Sequence, residues 1–224
     1  MIKGAIFDAD GTLLDSMSVW DTIGEKYLQS IGCKPREDLA KTFKKMNLHQ
    51  AACYYREEYG VSLSVNDITD GVNNMLRQYY LTETKLKPGV TDFLARLNKH
   101  GVKMCVATAS DRELISGALC RLGVSEYFAE IFTCATSGKG KDSPEIYRQA
   151  AEFMNTSRAD TLVFEDALYA LRTASADGFI TVGVYDCHEP EQDRIKETSD
   201  IYLTEYSDFD GFITRAEKLS NISK

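Results

Sequence analysis

Hydrophobic residues along the chain fall into two patterns, one typical of buried strands and the other of helices. Short apolar runs that end in glycine or polar residues predict parallel strands buried on both faces. Apolar residues that recur every three or four positions predict helices that bury one side. The predicted strands are Lys3–Phe7, Val102–Ala107, Ile131–Thr133, Thr161–Phe164, Phe179–Val184 and Ile201–Leu203, the last of them at an edge of the sheet.

The predicted helices form two groups that differ in what lies between them. Before Pro88-Gly89, four helical patterns follow one another without a strand, which predicts an all-α block. These patterns cover residues 16–32, Pro35–Lys45, Asn47–Tyr59 and Asn66–Tyr80. After Pro88 the helices alternate with strands, at Val90–Lys99, Arg112–Leu122, Pro144–Met154 and Leu168–Ala176. Such alternation predicts a parallel sheet with helices on both faces.

Together these patterns predict an α/β fold, a doubly wound and Rossmann-like parallel sheet with an inserted all-α domain. We assign residues 1–15 and 83–224 to the α/β core and residues 16–82 to the helical insertion. In doubly wound sheets, ligands bind beyond the carboxyl ends of the strands, near the point where the strand order reverses. The residues that follow the predicted strand ends are Asp8 and Asp10, Thr108-Ala109-Ser110, Lys139 and Lys141, and Glu165-Asp166.

Asp8 and Asp10 follow the first strand and, being two residues apart, lie on the same side of an extended segment. Gly11 then allows a sharp turn, because it carries no Cβ. Two carboxylates about 4 Å apart repel each other by about 4 kcal/mol at an effective dielectric constant of about 20. A shared proton, a lysine or a divalent cation must offset this repulsion.

Four carboxylates and a lysine suit a magnesium ion and a phosphate group. Mg²⁺ prefers oxygen ligands and shares them with phosphate and water, so the natural reaction is phosphoryl transfer. One carboxylate can attack phosphorus and form an aspartyl phosphate, while a second acts as general acid and then general base. Thr108 and nearby backbone N–H groups would hold the phosphate oxygens, and Lys141 would neutralise their charge.

Composition limits the partners and the location of the protein. The net charge of −8 argues against binding to nucleic acid or to an anionic membrane surface. We see no apolar segment long enough to cross a bilayer and no signal peptide. None of the six cysteines has a Cys-x-x-Cys spacing, so we expect reduced thiols in the cytoplasm. We therefore expect a cytoplasmic monomer that acts on a small phosphorylated metabolite.

Four motifs in the same order resemble those of the haloacid dehalogenase superfamily, in the branch with a helical cap inserted after the first motif. The segment from Asp8 to Ser16 matches the first motif closely, and Thr108 stands at the second. The segment from Lys141 to Tyr147 is similar to the third, whose usual form is Lys-Pro-x-Pro-Asp-x-Phe/Tyr. Glu165-Asp166 matches the fourth. The resemblance covers nearly the whole chain and implies a Rossmann-like core with a helical cap.

The resemblance implies catalytic and metal-binding roles for the acidic residues. Asp8 would be the nucleophile, and Asp10 the general acid and base. Mg²⁺ would be held by the Asp8 carboxylate, the Asp10 backbone carbonyl and Asp166. Glu165 would support these ligands without binding the metal directly.

The resemblance also implies that Thr108, Ala109 and Lys141 bind the substrate phosphate, with the spacing to Pro144 favouring Lys141 over Lys139. The chain departs from the family pattern at three positions. These are Asp142 in place of a proline, and Ala167 and Ala170 where serine and glycine are common. None of these changes removes a group with an implied role, so we expect the enzyme to be active. Its metal affinity could differ from that of family members with the usual residues.

The predicted function is a Mg²⁺-dependent phosphatase that hydrolyses a small phosphomonoester, such as a sugar phosphate, through an aspartyl-phosphate intermediate. The alternative is a sugar-phosphate mutase similar to β-phosphoglucomutase. That enzyme has a histidine shortly after the first motif, where this chain has Trp20, so hydrolysis is favoured. Dehalogenation of 2-haloacids fits poorly, because that branch lacks the second aspartate. A phospho-accepting receiver domain fits poorly too, because its acceptor follows the third strand and it has no helical insertion.

Overall fold

The structure, a computed structural model, describes residues 1–37, 39–43, 46 and 48–222. The chain divides into two compact units, Met1–Asp15 with Lys85–Lys224, and Ser16–Thr84. The predicted division lies two residues earlier, after Thr82. Among the described residues, no helix combines the length and the apolar character needed to span a bilayer.

The first unit contains a sheet whose six described strands are all parallel. The strands are β1 (Gly4–Phe7), β4 (Lys103–Thr108), β5 (Ile131–Thr133), β6 (Thr161–Glu165), β7 (Ile180–Val184) and β8 (Ile201–Leu203). Their order is β5-β4-β1-β6-β7-β8, with β1 and β6 near the middle. The register pairs Phe7 with Val106 on one side and with Phe164 on the other. This sheet confirms the predicted doubly wound α/β fold.

Two further strands, each of two residues, were not predicted. They are β2 (Leu14–Asp15) and β3 (Lys85–Leu86), which pair antiparallel at the two chain crossings between the units. A hydrophobic pattern of two residues is too short to distinguish a strand from a loop, so the sequence could not reveal them.

Helices cover the first unit, and most of them match the predicted ones. They are α5 (Val90–Lys99), α6 (Arg112–Arg121), α7 (Cys134–Ser137), α8 (Glu145–Met154), α9 (Leu168–Ala176), α10 (Gln192–Thr198) and α11 (Phe209–Ile222). Three were not predicted: the single turn α7, the short α10 and the long α11. For α11 a signal existed, because buried Phe209, Phe212 and Ala216 recur at helical spacing.

Aromatic side chains fill the core beside β1 and β6. The rings of Phe7 and Phe164, neighbours across the two strands, stack with centroids 4.1 Å apart. Phe93 from α5 meets the edge of Phe164 at 5.9 Å. Burial of such large apolar side chains contributes about 1.5–3 kcal/mol each. This packing fixes the two strands whose ends carry Asp8 and Asp166.

The second unit consists of helices, as predicted: α1 (Met17–Ser30), α2 (Leu39–Phe43), α3 (Leu48–Tyr59) and α4 (Val65–Thr82). The predicted start of the second helix at Pro35 is wrong, since α2 begins at Leu39. The backbone N–H of Arg36 instead donates to the Tyr59 hydroxyl at 3.0 Å, which holds this segment against the end of α3. The predicted helix ends at Lys45 and Asn47 lie outside the described residues.

Close packing in the second unit depends on small residues. A Cβ at Gly24 would overlap the Phe43 ring, and the Gly24 carbonyl accepts a hydrogen bond from the Tyr55 hydroxyl at 3.0 Å.

At the start of α4, Ser64 and Asp67 form a reciprocal capping box, which satisfies backbone N–H groups of the first turn.

Candidate active site

The strand order of the sheet reverses between β1 and β6, and the acidic residues of two distant motifs meet there. From β1 the chain builds β4 and β5 on one side and then returns to the other side with β6. Asp8 follows β1, while Glu165 is the last residue of β6 and Asp166 comes next. The N–H of Asp8 donates to the Phe164 carbonyl at 3.0 Å, which extends the pairing of the strands.

The loop after β1 is wound tightly on itself. The N–H groups of Leu13 and Leu14 both donate to the Ala9 carbonyl, at 2.9 and 2.8 Å. Gly11 has a φ of 75°, in the left-handed region that favours glycine. A Cβ at this position would overlap the Asp166 carboxylate. The loop therefore passes directly against Asp166, and only glycine fits there without displacement.

Three carboxyl groups form the centre of the site: Asp8, Glu165 and Asp166. Each offers one oxygen, and these oxygens all lie within 4.8 Å of one another. All three residues are buried, with relative exposures of 8%, 0% and 5% in that order. Burial raises the pKa of all three groups, and that of Glu165 rises to about 7. The negative charges of Asp8 and Glu165 raise the pKa of Asp166 further.

Lys141 is the cation that the acidic cluster contacts. Its side chain is 4% exposed, and its ammonium donates to Asp8 Oδ1 and, at 2.7 Å, to Glu165 Oε1. Burial lowers the pKa of Lys141, but attraction to Asp8 and Glu165 outweighs this effect, so the pKa lies above its ordinary value. The ammonium therefore stays charged and offsets part of the repulsion among the carboxylates.

The donor set of this cluster fits a divalent cation. When all three carboxyl groups are ionised, they carry three negative charges, and the Lys141 ammonium balances one of them. The four groups together then have a net charge of −2. Glu165 Oε2 is buried and has no hydrogen-bond partner among the described residues. Hard divalent cations prefer carboxylate oxygens. Asp8 and Asp166 could therefore hold a metal ion directly, and Glu165 lies close enough to add its negative charge.

Asp10 and Thr108 lie on the side of the site formed by β1 and β4. Thr108 is the last residue of β4 and is fully buried, whereas Ala109 is exposed. Ser110 connects the two motifs, because its hydroxyl donates to Asp10 Oδ2 at 2.5 Å and its N–H donates to Thr108 Oγ1 at 3.0 Å. Ser110 thus fixes the Asp10 carboxylate, whose negative charge contributes to the raised pKa of Asp8.

For three residues that contact the site, no role was predicted from the sequence. Ser110 holds Asp10; Thr12 Oγ1 donates to Asp166 Oδ1 at 2.9 Å; and the Tyr147 hydroxyl donates to Glu165 Oε1 at 2.7 Å. All three lie within or directly beside the four motifs, so their hydroxyl groups were a usable signal. Their partners, however, are between 18 and 154 residues away in sequence, and local patterns do not specify such pairs.

The positions where the chain departs from the family pattern lie outside the direct contacts of the cluster. Lys139 and Asp142 are exposed, so the structure brings Lys141 rather than Lys139 into the site. Ala167 is half-buried, and Ala170 is fully buried in α9.

A second group of metal-binding side chains, Asp186, Cys187 and His188, follows β7. Asp186 accepts hydrogen bonds from Lys87 Nζ at 2.9 Å and from the His188 N–H at 2.9 Å. The ammonium already supplies the counter-charge for this carboxylate, so we assign no metal to the group.

Comparison with known proteins identifies a family. A family model described as haloacid dehalogenase-like hydrolase matches residues 2–176. This match confirms the resemblance predicted from the four motifs and the corresponding Rossmann-like core.

Individual relatives are similar over most of the chain. The phosphorylated carbohydrates phosphatase of Thermotoga maritima is 24% identical over 177 residues, which cover 79% of this chain and 82% of that protein. The CbbY protein of Cereibacter sphaeroides is 27% identical over 206 residues, covering 84% and 88%. Among solved structures, the β-phosphoglucomutase of Clostridium difficile has a TM-score of 0.71 at 18% identity, with both chains fully covered. The structural likeness concerns the fold alone.

Proposed function

We propose, because the chain belongs to the haloacid dehalogenase-like hydrolase family, that it is a Mg²⁺-dependent phosphatase acting on a small phosphomonoester. The family match confirms the prediction of a hydrolytic enzyme, and relatives named as phosphatases support hydrolysis of phosphoric monoesters. The name of the Thermotoga relative supports a sugar phosphate or a similar metabolite as the substrate.

One observation carries the proposal: the buried carboxyl groups of Asp8, Glu165 and Asp166 meet at the switch point of the sheet, and a lysine ammonium bonds to two of them, Asp8 and Glu165. Lys141 donates to one carboxylate oxygen of Asp8 and so fixes the orientation of the group that would attack phosphorus. A carboxylate fixed in this way needs little reorientation to reach an in-line geometry, which lowers the entropic cost of the reaction.

In the first half of the reaction, a carboxylate oxygen of Asp8 attacks phosphorus and forms an aspartyl phosphate. The bond between phosphorus and the leaving oxygen breaks, and Asp10 donates its proton to that oxygen. The Ser110 hydroxyl, which donates to Asp10 Oδ2, keeps the carboxyl group of Asp10 in a fixed orientation.

In the second half, Asp10 takes a proton from a water molecule, whose oxygen attacks phosphorus. The bond between phosphorus and the Asp8 oxygen breaks, which releases inorganic phosphate and regenerates the Asp8 carboxylate. Asp10 regains its proton in this step, so the enzyme returns to its starting state.

The remaining site residues would bind the substrate phosphate and the metal ion. Thr108, the backbone N–H of Ala109 and the Lys141 ammonium would hold the phosphate oxygens. The Asp8 carboxylate, the Asp10 backbone carbonyl and Asp166 would hold Mg²⁺, which neutralises charge on the transferred phosphoryl group. Glu165 keeps Lys141 in place by accepting from it at 2.7 Å.

Turnover of p-nitrophenyl phosphate tests the reaction class. We expect many turnovers per enzyme with Mg²⁺, loss of turnover with EDTA, and recovery when Mg²⁺ is restored. Phosphate release from a panel of sugar phosphates and other phosphorylated metabolites would then identify the substrate class.

Two results would contradict the proposal. Phosphate labelling that stops at one equivalent per protein, without turnover, would indicate a phospho-accepting module. Interconversion of sugar phosphates that requires glucose 1,6-bisphosphate and releases little phosphate would indicate a mutase.

A further inference from the structure

Tyr206 lies far from the four motifs in sequence, yet its side chain reaches the loop that carries the first of them. The residue follows β8 and is 3% exposed. Its hydroxyl donates to the backbone carbonyl of Thr12 at 3.0 Å, between residues 194 positions apart. Nothing in the mechanism above uses this contact.

Thr12 is held at two points, one on its backbone and one on its side chain. Its carbonyl accepts from Tyr206, and its Oγ1 donates to Asp166 Oδ1 at 2.9 Å. Thr12 is fully buried, so each of these polar groups needs a protein partner in place of water. A shift of the Thr12 backbone would therefore also move the hydroxyl that orients Asp166.

The Tyr206 hydroxyl is itself held in a fixed position. Its ring packs edge-on against Phe93 at 5.0 Å and lies nearly parallel to Phe164 at 6.5 Å. Its backbone runs against Gly89, where an added Cβ would lie 3.1 Å from Tyr206 and where φ is 84°. Burial, followed by the charges of Asp166 and Asp8, raises the pKa of Tyr206 well above its ordinary value. The hydroxyl thus keeps its proton and remains a donor.

We propose that Tyr206 is a positioning residue for the metal ligand Asp166 and acts through Thr12. The hydrogen bond from Tyr206 fixes the backbone of the loop after β1, and the Thr12 hydroxyl transmits that position to the carboxylate. This role rests on the proposed function, in which Asp166 binds Mg²⁺. Partners outside the direct ligands of a metal commonly change its affinity by about 10- to 100-fold when they are removed.

The test is Tyr206→Phe, which removes the hydroxyl and keeps the ring. Calorimetric titration with Mg²⁺, without substrate, measures the dissociation constant independently of catalysis. We expect it to rise by about three- to tenfold, below the usual effect of a direct partner, because Tyr206 acts through one intermediate residue. The Mg²⁺ concentration for half-maximal turnover should rise in parallel, while KM at saturating Mg²⁺ stays unchanged.

Tyr202→Phe is the matched control. The Tyr202 hydroxyl donates to Gln192 Oε1 at 2.8 Å, between residues outside the four motifs. This variant loses the same chemical group, so any general effect of the substitution on folding appears in both proteins. We expect its Mg²⁺ dissociation constant to equal that of the unmodified protein.

A double-mutant cycle with Thr12→Val separates positioning from a purely structural role. If Tyr206 acts through the Thr12 hydroxyl, Tyr206→Phe should change Mg²⁺ affinity little once that hydroxyl is absent. Equal effects in both backgrounds, or an unchanged dissociation constant in Tyr206→Phe alone, would overturn the role of Tyr206 and leave the proposed function intact. An unmodified protein that binds no Mg²⁺ would overturn the metal assignment and this role with it.

Discussion

Asp8 combines a nucleophilic carboxylate with contacts that hold it still. Its backbone N–H donates to Phe164 and one carboxylate oxygen accepts from Lys141, while burial raises its pKa. The repulsion expected between Asp8 and Asp10 is relieved in two ways, since Lys141 bonds to Asp8 and Ser110 bonds to Asp10. Individual side chains thus set the charge balance of the site.

Asp8→Asn should abolish turnover and leave the fold intact. The amide has nearly the same shape and can still accept from Lys141, but it lacks the negative charge of a nucleophile. We expect kcat for p-nitrophenyl phosphate to fall by at least about 10³-fold, as it does when other enzymes lose a nucleophile. Circular dichroism would check that secondary structure is retained.

Asp142→Asn serves as the control for that substitution, because Asp142 is exposed beside Lys141 in sequence and lies outside the cluster. Its kcat should stay within about twofold of the unmodified value, because a substitution at an exposed position usually changes stability by no more than about 0.5 kcal/mol. Rates in Asp8→Asn close to those of the unmodified protein would remove Asp8 from the role of nucleophile.

The strands and the loops that follow them decide where the motifs lie. Because β1 pairs with both β4 and β6, the ends that carry Asp8, Thr108 and Asp166 share one edge of the sheet. The loop after β1 can approach Asp166 only through Gly11, whose φ is 75°. The geometry of one turn therefore controls the position of a proposed metal ligand.

Gly11→Ala should reduce both stability and metal affinity. A left-handed backbone costs a residue with a Cβ about 1–2 kcal/mol, and at this position the Cβ also overlaps the Asp166 carboxylate. We expect the free energy of unfolding to fall by at least that amount and the Mg²⁺ dissociation constant to rise. Urea denaturation and calorimetric titration would measure the two effects.

Gly123→Ala provides a control with the same backbone strain. Gly123 has a φ of 72°, and an added Cβ there would meet no described atom within 4 Å. Stability should fall by a similar amount for the strain alone, while Mg²⁺ affinity stays unchanged. Equal Mg²⁺ affinities in the two variants would argue against a close approach of the loop to Asp166.

At the scale of the whole molecule, the buried acidic cluster links stability to pH. Burial raises the pKa of Asp8, Glu165 and Asp166, so the folded protein holds protons that the unfolded chain releases above its ordinary carboxyl pKa. This contribution is fully present below the ordinary value of 4.5 for Glu165 and is lost as pH rises through about 7. In the absence of a metal ion, stability should therefore decline between about pH 5 and 8.

Mg²⁺ should reverse that decline, because the ion binds ionised carboxylates and replaces the lost protons. We expect thermal unfolding to show a larger increase in Tm on addition of Mg²⁺ at pH 8 than at pH 5.5. Carboxyl groups with a lowered pKa do not contribute to the change in stability between about pH 5 and 8. Asp177, bonded to Arg148, has a pKa below 3.8, and its contribution is lost only as pH falls through that lowered value.

Glu165→Gln tests the assignment of the pH dependence. The variant has no titrating group at this position, so the decline of Tm from pH 5 to 8 in EDTA should become shallower. An increase in Tm with Mg²⁺ that is the same at pH 5.5 and pH 8 would contradict the linkage between these carboxyl groups and metal binding.

Local sequence patterns were sufficient for the main strands and most helices of the α/β core. Hydrophobic periodicity depends on which face of an element is buried, and this is recorded within a few neighbouring residues. The strands β1, β4, β6 and β7 could therefore be predicted, and so could the position of the acidic segment after β1. The helix α11 could have been predicted from the same kind of pattern but was missed. The start of α2, in contrast, depends on contacts of Arg36 with the end of α3.

Tertiary structure alone decided the partners of the site residues. The bonds from Lys141 to Asp8, from Thr12 to Asp166 and from Tyr206 to Thr12 join residues 133 to 194 positions apart. No periodic signal records such pairs, because they form only when the sheet and its covering helices bring distant side chains into one water-excluded place. Local sequence patterns place particular side chains at the strand ends, and folding selects which of those side chains contact one another.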